Sequence, residues 1–173
     1  MSTVFVSLNE KIPETTEPYI GLHYGFWADE YIGRLWFVLL GQELNQMPNS
    51  LSGYEHWMEF VDIPPICSFI GDNSHEIFKS ERDRADGIQA ADKLLRKLEN
   101  KDVPLLTLMP ELATSEFYRH CGNLNCKTCL SREETFNASA KDSLVELGEH
   151  FVDLLKGTLK TGEAIPQKIG RRR

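Results

Sequence analysis

The chain has little of what breaks or staples a fold, with 12 Gly, 8 Pro and 4 Cys among 173 residues. That scarcity excludes collagen-like and low-complexity classes, and it excludes a small disulfide-dense scaffold. Long apolar runs are also missing. The longest, Leu35 to Leu40, is far short of the roughly 20 residues that a spanning helix needs. No basic segment followed by an apolar stretch and a small-residue cleavage site opens the sequence, so export by a signal peptide is not expected. Basic charge is scarce as well. The formal net charge is −7, which disfavours a broad phosphate-binding face and therefore direct binding to nucleic acid. These absences lead to the expectation of a cytoplasmic protein without a membrane contact, whose cysteines are reduced thiols or metal ligands.

What is present is an ordinary globular composition, 41% apolar and 26% charged, at a length that buries a core without staples. The acidity is uneven. Residues 1–74 hold 10 acidic and 2 basic side chains, while residues 75–102 balance at 7 and 7 and residues 103–173 carry 9 acidic and 10 basic. The first 74 residues also hold 12 of the 17 aromatics, among them Trp27, Trp36 and Trp57.

Thr3 to Leu8 alternates as a short strand does, and Lys11 to Pro18 reads as a loop broken by two prolines. From Phe26 to Met47, apolar residues recur every three or four positions (Trp27, Tyr31, Leu35 and Val38, flanked by Ile32, Trp36, Leu39 and Leu40), which predicts a helix despite Gly33 and Gly41. Gly53 to Ile63 suits a short helix or a strand equally. Asn73-Ser74-His75-Glu76 has a capping-box spacing ahead of Ile77, Phe78, Ala85, Ile88, Ala91, Leu95 and Leu98, predicting one helix over 74–100 with a charged, solvated outer face. A short strand is expected at 105–108 and a helix over 111–120. Ser131 with Glu134 forms a second capping box before the stripe Phe136, Ala140, Leu144, Leu147, Phe151, Leu155 and Leu159, and Pro166 ends the segment. The expected fold is α-rich, mainly α with a few short β-strands. It is a single compact domain of four to five helices over residues 1–166, followed by a disordered basic tail at 167–173.

Cys121, Cys126 and Cys129 lie in a turn between two predicted helices, with His120 adjoining Cys121. Two thiols three positions apart can point at one centre, and structural zinc needs four N or S ligands in a tetrahedron. His120 is the fourth candidate, strained by its adjacency to Cys121, and Cys67 is another. His150 falls roughly 28 Å along a straight helix from Ser131, which removes it. Three inert reduced thiols are the plainer alternative, so no cofactor is expected beyond this one candidate zinc. The spacing of the three cysteines resembles the plant-type ferredoxin pattern, but no fourth downstream Cys completes it. The stretch from His120 to Thr128 is similar to the phosphate loop of cysteine phosphatases. However, Lys127 stands where that family has the Arg that grips phosphate with two parallel hydrogen bonds.

No Walker A, dinucleotide, zincin or nucleophile-elbow motif is present, and the expectation is a protein without catalytic residues. Acidic side chains interleaved with aromatics can steer and then hold a basic protein. Asp29, Glu30, Tyr31, Glu55, Trp57, Glu59 and Asp62 are the candidate partner-binding residues, with the alternative that the aromatics are core and the acids serve solubility. A small acidic chain of this kind most resembles a bacterial toxin-neutralising immunity protein, which implies a basic partner such as a toxin nuclease domain. The alternatives are a zinc-stabilised regulatory or adaptor protein and an enzyme whose residues meet only in three dimensions.

Overall fold

A computed structural model describes residues 2–9, 16–24, 27–45, 74–100, 102, 127–160 and 162–164. Among them the fold is α-rich, as expected. The elements run β1 (Ser2–Val6), β2 (Pro18–Tyr24), α1 (Trp27–Asn45), α2 (Ser74–Ile77), α3 (Glu81–Glu99), α4 (Lys127–Lys156) and β3 (Gly162–Ala164). The expected strand at 105–108, the helix at 111–120, the undecided segment 53–63 and the basic tail all lie outside the described residues.

The three strands form one sheet with β2 in the centre. β1 pairs antiparallel with it, Val6 opposite Ile20 and Ser2 opposite Tyr24, and β3 pairs parallel, Pro18 opposite Gly162. Because side chains alternate across a strand, Ile20 and Leu22 share one face, and both are fully buried together with Val6. That face lies against α1: Leu22 Cδ1 would come within 2.8 Å of any Cβ placed on Gly33. β1 stops just short of the expected Leu8, where the Ser7 hydroxyl accepts from the Asn9 amide at 3.0 Å and turns the chain.

α1 matches the predicted helix to within two residues at each end and continues through Gly33 and Gly41. Leu35, Trp36, Phe37, Leu39, Leu40 and Leu44 are all buried. These positions encircle much of the helix, as they must in an element covered on several sides. Such burial outweighs a glycine penalty of about 1 kcal/mol per site.

The single helix expected over 74–100 is two helices. α2 makes one turn, closed by Phe78 N–H donating to Ser74 O at 2.9 Å. The chain then extends at Ser80, whose hydroxyl accepts from the Asp83 amide at 3.0 Å, while the Ser80 amide donates to Asp83 Oδ2 at 3.3 Å. This reciprocal pair is a capping box, and it restarts the helix. The restart shifts the helical phase. The buried face of α3 is Gly87, Ala90, Ala91, Leu94 and Leu98, whereas Ala85 is exposed and Ile88 and Leu95 are only half-buried.

α4 begins at Lys127, so Ser131 and Glu134 lie inside the helix and do not cap it. It ends at Lys156 and does not reach Leu159 or Pro166. Gly157 takes the left-handed conformation (φ 69°), its N–H donates to Leu154 O at 3.1 Å, and Thr158 N–H donates to Asp153 O at 2.9 Å. That bonding pattern is a Schellman stop. Leu144, Leu147, Phe151 and Leu155 form the buried stripe as predicted.

α3 and α4 run in opposite directions, with Gly87 against Leu155 and Leu95 against Gly148, and Lys141 Nζ donating to Asn100 O at 2.7 Å. Trp36 lies on Gly148, where an added Cβ would fall 2.5 Å from the indole Cη2. Phe151 is the centre of the core. Trp36, Phe37 and Phe78 meet it edge to face, with centroids 6.0, 5.8 and 5.5 Å away. Each such contact adds about 0.5–1.5 kcal/mol beyond area burial. One aromatic cluster thereby joins α1, the turn after α2, and α4.

Candidate functional site

The seven acidic and aromatic candidates divide into two groups, and two further aromatics of the same stretch bear on the alternative that its aromatics are core. Asp29, Glu30 and Tyr31 fall on consecutive positions in the first two turns of α1. Glu55, Trp57, Glu59 and Asp62 lie outside the described residues. Trp36 and Phe37 are sealed in the core at 0% and 1% exposure, so for these two aromatics the packing role holds and neither can anchor a partner.

A further acid of the same stretch, Glu43, has a role that sequence reasoning missed. It sits in the last turns of α1 among Leu39, Leu40 and Leu44, and only 4% of it is exposed. Two lysines one turn apart on α3 reach it: Lys93 Nζ is 2.8 Å from Oε2, and Lys97 Nζ donates to Oε1. Burial alone would raise the Glu43 carboxyl, but hydrogen bonds and charge from Lys93 and Lys97 outweigh it and hold the group below its ordinary 4.5. An ionised carboxylate taken from water needs such partners, because unpaired burial is costly. The arrangement is a clasp between α1 and α3. It also subtracts one charge from the acidic N-terminal stretch, since Glu43 is neutralised internally. The signal was present as an acid on an otherwise apolar helical stripe, together with lysines spaced i,i+4 on another helix. Apart from Lys93 and Lys97, the charged residues of α3 and of the turn before it are solvated only in part, and Asp86 Oδ2 is shut off from solvent. Lys79, Glu81, Arg82 and Arg96 are exposed, and Asp83, Arg84 and Asp86 are half-buried.

Trp36 Nε1 and Asp86 Oδ2 are buried with no hydrogen-bond partner among the described residues, whereas the equally buried Glu43 Oε2 has the Lys93 ion pair. On α4, Glu146 Oε1 lies 4.0 Å from His150 Nε2 one turn later. His75 is half-buried and 3.9 Å from the Glu76 carboxylate. Lys141 is held below its ordinary value by burial, with Asp102 opposing the shift.

Of the candidate zinc ligands, Cys129 is the third residue of α4, while His120, Cys121, Cys126 and Cys67 lie outside the described residues. The helix therefore starts four residues before the expected cap, between the second and third cysteines of the cluster. Among the described residues no three His, Cys, Asp or Glu side chains converge as a metal would require. No described helix is long and apolar enough to cross a membrane.

The site thus belongs to an α-rich fold whose charged features include an acidic α1 entry and an internal ion-pair clasp. Compared with known proteins, the chain matches no family model, and no curated protein or solved structure shows significant similarity to it.

Proposed function

We propose that this is a cytoplasmic, non-catalytic binding protein that masks a basic protein partner with its acidic, aromatic N-terminal region, in the manner of a toxin-neutralising immunity protein. The observation that carries the reading is the concentration of 10 acidic against 2 basic side chains in residues 1–74. Glu43 is tied internally, and the remaining acids dominate that stretch. Asp29, Glu30 and Tyr31 are consecutive near the start of a helix whose later residues, Leu35 to Leu44, are anchored in the core. Carboxylates and an aromatic residue in one short stretch suit fast electrostatic encounter followed by desolvated anchoring. A positively charged substrate cleft of a nuclease domain is the surface such a region would cover.

The test is charge reversal. The basic protein that co-purifies with this chain from its source cell is titrated against wild type and against a variant carrying Asp29→Lys, Glu30→Lys, Glu55→Lys and Glu59→Lys. The variant is expected to lose association by at least tenfold at about 0.15 M salt, and the salt dependence of affinity is expected to flatten. Unchanged association and unchanged salt dependence would refute the reading.

A second reading is a zinc-stabilised adaptor, favoured by the start of α4 between Cys126 and Cys129, a ligand spacing at a helix entrance. Protein purified without chelator then carries one equivalent of zinc and melts lower in EDTA. Less than about half an equivalent, with no change in melting temperature, removes this alternative.

A further inference from the structure

We draw no further inference here: the strongest candidate, the row of carboxylates formed by Asp142, Glu146, Glu149 and Asp153 along one side of α4, is an acidic cluster with no second feature among the described residues to show what ligand would occupy it.

Discussion

Removing Lys93 and Lys97 together should destabilise the protein far more than removing either one. At 2.8 Å from Glu43 Oε2, the Lys93 ammonium supplies an attraction of roughly 6 kcal/mol at an effective dielectric of 20. The desolvation of a buried carboxylate, several kcal/mol, consumes most of it. The lysine side chains are 45% and 39% exposed, so solvent screens them and either can turn into water when its partner is lost. Glu43 cannot. Lys93→Met or Lys97→Met alone should cost about 1 kcal/mol, because the other ammonium still neutralises the carboxylate. The double variant strands a buried charge and should cost about 3–5 kcal/mol. Glu43→Met, which frees both lysines into water, should stay within about 1 kcal/mol of wild type. Urea unfolding at pH 7 measures all four proteins on one scale.

The pH dependence supplies an independent sign. In wild type the Glu43 carboxyl is depressed below 4.5, so its stabilisation is present above that value and is lost as pH falls through the folded pKa. In the double lysine variant only burial remains, which raises the folded pKa, and the stability gap to wild type should narrow on acidification. A double variant that loses no more than the sum of the two single losses would refute the reasoning. So would a Glu43→Met variant that loses as much as the double lysine variant.

Two other substitutions test the packing. Gly148→Ala places a methyl 2.5 Å from Trp36 Cη2 and 2.7 Å from Leu95 Cδ2; it should cost about 1–3 kcal/mol in urea unfolding, against the gain of about 1 kcal/mol that Ala brings at an open helical position. Ser80→Ala removes the acceptor for the Asp83 amide and should cost about 1 kcal/mol, with faster amide exchange confined to the first turn of α3.

How much of this was legible in the sequence depended on the range of the interaction. The periodicity of α1 and the stripe of Leu144, Leu147, Phe151 and Leu155 are local patterns, and both elements lie where that pattern places them. The break at residues 78–80 was hidden because Ile77 and Phe78 are core residues in any case and continue the apolar spacing across Ser80. β2 was obscured by Pro18 and Gly21, two residues poor in strand propensity, although Ile20 and Leu22 alternate inward as a strand requires. Gly162–Ala164 has no strand pattern of its own. It is extended because β2 offers it an edge. The charge excess around Asp29 and Glu30 was countable from composition, but the internal pairing of Glu43 required two helices distant in sequence to meet.

The parallel pairing of β2 with β3 joins Pro18 to Gly162, positions far apart in the sequence. During synthesis β2 emerges from the ribosome long before the strand that covers its second edge. Until residues 162–164 arrive, the amides and carbonyls that they pair on β2 are open to a strand from another molecule. Sheet completion therefore waits until residues 162–164 have left the ribosome. Products terminated upstream of them should be prone to aggregation even if their helices have formed.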